Sequence, residues 1–153
     1  MKNVTLQSAT VADVERLLPL FRAYQAHYSA LTEATEERTR GFLAELLAQP
    51  EQGFAILAVH QGEVAGFATG YYTVAGLLAQ RLVHLGDLYV APAFRRNGIA
   101  TALMDAVKAR AREKGIGLVR WLSVAGNAEL NKWYGSLGAT SGDFKLFLRP
   151  TGA

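Results

Sequence analysis

Leu88-Tyr89-Val90-Ala91-Pro92-Ala93-Phe94-Arg95-Arg96-Asn97-Gly98-Ile99-Ala100-Thr101 reads as a strand end, a loop and a helix start. Leu88–Val90 is a β-prone apolar run, and Ala91-Pro92 stops it because proline has no N–H to give to a ladder. From Gly98 to Lys114, Ile99, Ala102, Leu103, Ala106 and Val107 share one stripe opposite Lys108, Arg112 and Glu113, the pattern of an amphipathic helix. Such a junction is a natural anion site. The first helical N–H groups have no partner within the helix, and the macrodipole puts partial positive charge there. Gly98 allows close backbone approach, Ala100 keeps the first turn small, and Arg95 and Arg96 add charge. Two other phosphate loops are excluded: the chain has neither G-x-x-x-x-G-K-[ST] nor G-x-G-x-x-G after a strand. Gly115-Ile116-Gly117 falls at a helix end and reads as a C-cap and turn.

Upstream of this junction, Arg81 to Val90 reads as one strand. Phe54–Val59 and Val64–Tyr72 form a hairpin about the turn signal Gln61-Gly62. Lys2 to Ser8 is a first strand. Thr10 to Asp13 is a capping box, followed by a helix carrying Val14, Leu17, Leu18, Phe21 and Tyr28, in which Pro19 predicts a kink. A second helix covers Glu36 to Ala48. Downstream, Leu118 to Val124 is a buried strand. Asn127 is the N-cap of a short helix with Leu130, Trp133, Tyr134 and Leu137 on one face, and Gly138 stops it. Phe144 to Leu148 is expected to close the chain as a strand. The order predicts a single domain, 1–153, of mixed α/β (α+β) type with a mostly antiparallel front half.

The 153 residues, half of them hydrophobic and 19% charged, describe an ordinary globular chain. No apolar run approaches the roughly 20 residues of a membrane span, and the N-terminus lacks a signal-peptide pattern, so a cytoplasmic protein without a membrane partner is expected. Cysteine is absent, which excludes an acyl-cysteine intermediate. His27, His60 and His84 have no metal-ligand spacing, so no metal is expected. His60 is expected to be solvated, and His84 to be structural or a proton relay. Charge is unevenly spread: residues 1–90 hold 6 Lys/Arg against 9 Asp/Glu, and residues 91–153 hold 10 against 4. The basic part suits a polyanion. It lacks interleaved aromatics and any RNA- or DNA-binding motif, so nucleic acid is not the expected partner.

Arg95-Arg96-Asn97-Gly98-Ile99-Ala100 resembles the R/Q-x-x-G-x-G/A loop of the GNAT N-acetyltransferases. Leu88-Tyr89-Val90 before it, Asn127-Ala128-Glu129-Leu130-Asn131-Lys132-Trp133-Tyr134 after it and Leu137-Gly138-Ala139 resemble further parts of the same family pattern, over nearly the whole chain. The resemblance implies a mixed sheet with a central parallel strand pair, flanked by about four helices. It implies acetyl-CoA as acyl donor, its pyrophosphate on the backbone N–H groups of Arg96, Asn97, Gly98, Ile99, Ala100 and Thr101. Leu88, Tyr89 and Val90 would pair with the pantetheine arm, beside a bulge that splays two parallel strands. Asn127 and Asn131 would also serve the cofactor, Asn127 by touching the pantetheine or holding the wedge open.

Acetyl transfer needs a neutral amine, a stabilised oxyanion and a protonated leaving thiolate. The resemblance makes Tyr134 the acid, whereas its position beside Leu130 and Trp133 by itself reads as core. Related diamine and thialysine acetyltransferases carry Glu-Asp before the corresponding strand end, and this chain has Gly86-Asp87. Asp87 is thus left as a base, a base through water, a cation anchor or a structural carboxylate. Tyr24 and Tyr28, with His27, close the first helix where relatives shape the acceptor pocket; simple packing is the competing account. Of Tyr71 and Tyr72 only one can face that pocket. The expected acceptor is a small-molecule amine. A protein lysine or N-terminal amine, and a non-catalytic acyl-CoA-binding module, are the alternatives. A homodimer is expected by analogy alone.

Overall fold

The structure is a computed structural model that describes residues 3–28, 33–124 and 126–153. The chain divides into two compact units, Met1–Trp121 and Leu122–Ala153.

The first unit is a five-stranded sheet in the order β1-β2-β3-β4-β5. Its strands are β1 (Thr5–Ser8), β2 (Gly53–His60), β3 (Glu63–Ala75), β4 (Gln80–Val90) and β5 (Val119–Arg120). The first four pair antiparallel in sequence. The parallel pair, β4 with β5, lies at one end of the sheet, and its ladder consists of Val83↔Val119 and His84↔Arg120. The strand expected over Leu118–Val124 is therefore only two residues long.

The β2–β3 hairpin turns on Gln61 and Gly62, both at positive φ (49° and 82°), which is the two-residue turn whose twist suits antiparallel strands. Helices α1 (Val14–His27) and α2 (Glu36–Leu47) lie on one face. Val14, Leu17, Leu18, Phe21, Leu43 and Leu47 there form a core with Ala55, Leu57, Val59 and Phe67 of the sheet. The capping box is present, with the Thr10 N–H donating to the Asp13 carboxylate at 2.8 Å. α1 runs unbroken through Pro19, which is exposed, so the proline removes one backbone hydrogen bond without ending the helix.

Helix α3 (Ile99–Glu113) covers the other face. A Cβ on Gly66 of β3 would sit 3.4 Å from Ile99 Cγ2, and the Arg110 guanidinium lies 4.8 Å from the Phe54 ring centroid. Leu103 and Val107 are fully buried on its inner stripe. At about 1.5–3 kcal/mol for each such side chain, burial rather than helix propensity holds α3 in place. The expected stop at Gly115 is seen: Gly115 and Ile116 donate back to Arg112 and Ala111. Among the described residues, no helix is long and apolar enough to cross a membrane.

In the second unit, α4 (Ala128–Ser136) is the one regular element among the described residues. Residues 140–153 form no strand, and Phe144, Leu146, Phe147 and Leu148 are exposed. This corrects the expected closing strand. Apolar and aromatic residues mark strand propensity, but a strand exists only where a neighbour satisfies its backbone.

Candidate active site

A single extra residue in β4 builds the centre of the site. Thr69 pairs with Asp87, but Gly70 pairs with Leu85, so Gly86 is bulged out of the ladder. The bulge sets Asp87 on the α1 side of the sheet. Its Oδ1 accepts a hydrogen bond from Tyr24 Oη of α1 at 2.8 Å, and its Oδ2 accepts one from Thr69 Oγ1 at 2.5 Å. Tyr24 packs against Tyr28, Phe67 and Tyr89, with centroids 5.5–5.7 Å away. Tyr71 lies on the Asp87 side; Tyr72 lies on the opposite face, where the Lys114 ammonium is 5.4 Å from its ring centroid.

This packing shifts the protonation chemistry. Burial holds the Asp87 carboxyl above its ordinary value, although Thr69, Tyr24 and the His84 charge pull the other way. Burial and then Asp87 raise the Tyr24 phenol far above its usual range, and push Tyr71 up to about 12. Burial and then Arg120 lower the pKa of His84, against Asp87; His84 Nδ1 is buried with no hydrogen-bond partner. The result is one carboxylate of increased basicity among phenols that keep their protons, an arrangement able to hold an ammonium or take its proton.

Thr69 escaped the sequence reading, its only signal being a hydroxyl inside the apolar run Val64–Tyr72. It is fully buried. Replacing it, Thr69→Val, should leave Asp87 Oδ2 without its donor and raise the Asp87 pKa further. The expected outcome is an acidic limb of the activity profile displaced to higher pH, with stability lower by about 1–3 kcal/mol. An unmoved limb would show that the Thr69 bond does not tune Asp87.

The loop after β4 runs through a 3-10 turn, Pro92–Phe94, anchored by buried Phe94. Arg95 Nε donates to the Val90 carbonyl at 3.0 Å, and its guanidinium lies 5.4 Å from the Tyr89 ring centroid. Arg95 therefore clamps the end of β4. Asn97 Nδ2 donates to the carbonyls of Phe94 and Arg95. Arg96 and Gly98 hold left-handed φ values of 61° and 75°. These turns leave the N–H groups of Ile99, Ala100 and Thr101 at the start of α3 without a helical acceptor. Beside them, the edge of β4 from Leu85 to Val90 lies beyond the β5 ladder. An amide cluster at a helix N-terminus next to a strand edge outside the β5 ladder fits a pyrophosphate joined to an amide-bearing arm.

Within the second unit, Asn127 Oδ1 accepts from the Leu130 N–H at 3.0 Å, as an N-cap. Asn131 Oδ1 accepts from Ser123 Oγ at 3.0 Å. Leu130, Trp133, Tyr134 and Leu137 are the half-buried residues of α4 and its C-cap, matching the predicted face, and the Trp133 and Tyr134 centroids lie 5.2 Å apart. Gly138 and Ala139 donate to Gly135 and Tyr134, ending the helix as expected.

A family model described as the acetyltransferase (GNAT) family matches residues 17–139. The chain belongs to the GNAT acetyltransferase family. The chain is 28% identical over 112 residues to the uncharacterized N-acetyltransferase YhfO of Bacillus subtilis (strain 168), covering 73% of each. It is 28% identical over 121 residues to the thialysine N-epsilon-acetyltransferase of Caenorhabditis elegans, covering 79% of this chain and 73% of that one. A solved probable acetyltransferase is 29% identical, with TM-score 0.80 over 95% of this chain and 97% of the other. The aminoglycoside N-acetyltransferase AAC(6')-Iy, solved in complex with CoA, shares the fold at 20% identity, with TM-score 0.83 over 99% and 97% of the two chains.

Within this GNAT fold, Tyr24 and Tyr71 come together around Asp87; the sequence leaves open which of Tyr71 and Tyr72 lies on that side. Tyr28 packs on Tyr24 rather than on the carboxylate. His60 is not simply solvated: its Nδ1 lies 2.6 Å from the Asn3 carbonyl and its ring 5.4 Å from that of Phe94. Thr69 completes the carboxylate site.

Proposed function

We propose that this GNAT protein transfers the acetyl group of acetyl-CoA to the primary amine of a small molecule, by direct attack in a ternary complex. The observation that carries the reading is the Asp87 carboxylate, raised in basicity and held by Tyr24 and Thr69 on the bulge of the strand that leads into the amide-lined loop. In this reading the amides of Arg96 to Thr101 hold the pyrophosphate. The edge of Leu88, Tyr89 and Val90 that lies away from β3 receives the pantetheine, and Arg95 and Asn97 keep the loop in shape. Residues 1–153 act as one catalytic domain, with Asn127 and Asn131 serving the cofactor and Tyr134 the chemistry. Tyr24 and Tyr28 wall the acceptor.

Asp87 anchors the ammonium and takes its proton, directly or through water. The neutral nitrogen attacks the thioester carbonyl, an N–C bond forms as the C–S bond breaks, Tyr134 Oη protonates the departing thiolate, and the proton shed by the acylated nitrogen passes to solvent, from which Tyr134 is reprotonated. The relative named for thialysine supports an amine of amino-acid size.

A panel of amines with acetyl-CoA, followed by free thiol, tests the reading. Thiol release with one or more small amines is expected. Tight acetyl-CoA binding with no release for any amine would favour a non-catalytic acyl-CoA-binding module. Tyr134→Phe should lower kcat about tenfold to a hundredfold with the acetyl-CoA Kd unchanged. A large loss of binding instead would make Tyr134 structural.

A further inference from the structure

Arg95 brings a positive charge to the start of the anion loop, yet its side chain turns back along the chain. Its Nε donates to the Val90 carbonyl at 3.0 Å, and its guanidinium lies 5.4 Å from the Tyr89 ring centroid. The Nε donor and the cation are thus both set against the end of β4.

Strand pairing shows which edge of β4 that carbonyl serves. In an antiparallel pair, residues that bond to the neighbouring strand alternate with residues whose N–H and C=O point away from it. The Ala91 N–H donates to the Ala65 carbonyl at 2.8 Å, and the same register sets Val90 opposite Gly66 and Leu88 opposite Ala68. Ala91 and Tyr89 are therefore the positions bonded to β3, whereas Leu88 and Val90 turn their N–H and C=O away from it. The β5 ladder reaches β4 only at Val83 and His84. The outward groups of Leu88 and Val90 lie past it, along the edge proposed for the pantetheine arm. Among these groups the Val90 carbonyl already accepts a donor from the chain itself. An arm lying along this edge can pair with Leu88 and with the Val90 N–H, but it finds the Val90 carbonyl closed.

We propose that Arg95 is a positioning residue for the acyl donor: its Nε closes the outward carbonyl of Val90, sets where the row of backbone groups offered to the pantetheine arm ends, and holds that edge in shape before the donor arrives. The pyrophosphate is left to the amides at the start of α3. This inference rests on the acetyl-CoA reading above. It gives Arg95 a directional role at the strand edge in place of a charge role at the phosphates, and the gain is preorganisation.

Two neutral variants separate those roles. Arg95→Gln keeps an N–H donor on the atom bonded to Cδ, where Nε stands, and loses the charge. Arg95→Met has a side chain of similar reach and loses both. Thermal melts establish that each is folded. Each variant and the wild type are titrated calorimetrically with CoA and with adenosine 3′,5′-bisphosphate, which carries phosphates but no pantetheine. The Met variant should bind CoA about tenfold more weakly, and the Gln variant within about threefold of wild type. Both should bind the bisphosphate within about twofold of wild type. Without CoA, hydrogen exchange at the Ala91 N–H should be about tenfold faster in the Met variant and near wild type in the Gln variant. Equal weakening of CoA binding in both variants, or a parallel loss for the bisphosphate, makes Arg95 a phosphate contact and overturns the proposal. Unchanged CoA binding or unchanged exchange in the Met variant overturns it as well. A wild type that binds no CoA sinks the acetyl-CoA reading and the proposal with it, whereas CoA binding without the difference between Gln and Met sinks the proposal alone.

Discussion

Asp87→Asn should lower kcat/KM for the amine by about 100- to 10,000-fold while the acetyl-CoA Kd stays near wild type. The amide cannot take a proton, and it cannot balance an ammonium in a site whose other nearby groups are phenols, His84 and Arg120. The variant also loses one acceptor, since its Nδ2 has none to offer to Tyr24 or Thr69. A modest stability loss of about 1–3 kcal/mol is therefore expected, and activity must be read where the variant is folded.

The pH dependence separates this role from a packing role. Burial raises the Asp87 pKa above its ordinary 3.8, so the active carboxylate form is reached only at higher pH than for a solvated aspartate. The acidic limb of kcat/KM should lie above the usual aspartate range and vanish in Asp87→Asn, while a limb due to the amine persists. Stability moves in the opposite sense. The folded protein binds this proton more tightly than the unfolded chain, so the Asp87 contribution falls as pH rises from 3.8 through the folded value, then levels. Asp87→Asn removes that slope. An unchanged activity profile and a small kcat/KM effect would reduce Asp87 to a structural carboxylate.

Gly98→Asp should weaken acetyl-CoA binding about 100-fold or more with little loss of fold. Gly98 is the residue before α3, at φ 75°, and a Cβ there would meet nothing within 4 Å. The left-handed backbone costs a non-glycine residue about 1–2 kcal/mol, and a carboxylate at a helix N-terminus returns about 0.3–1 kcal/mol. The same carboxylate competes for the amides of Ile99 to Thr101 and repels a pyrophosphate. At about 4 Å and an effective dielectric near 20, one such like-charge pair costs about 4 kcal/mol. Titration calorimetry beside a thermal melt checks both halves. Unchanged affinity in a folded variant would move the donor site away from this loop.

Much of the fold was legible because its signals are local. The Gln61-Gly62 turn, the Thr10–Asp13 capping box, the Asn127 cap and the stops at Gly115 and Gly138 each depend on a few consecutive residues and their φ values. The helical stripes of α1 and α3 are periodic, and periodicity survives without knowledge of the partner. Phe144–Leu148 shows where this stops. Its apolar and aromatic residues carry β-propensity, yet no pairing follows from propensity alone.

The loop Arg95–Thr101 was likewise readable from sequence, since a glycine before a helix and the orphan amides after it are consequences of chain geometry. Tertiary structure alone decided the carboxylate site. Asp87 meets Tyr24 from 63 residues away and Thr69 from 18. Which of Tyr71 and Tyr72 faces it depends on strand register, and one bulged residue, Gly86, sets the face on which Asp87 emerges. Side chains alternate with a period of two, so a single unpaired residue reverses every later assignment, and only the completed ladder shows where that residue lies.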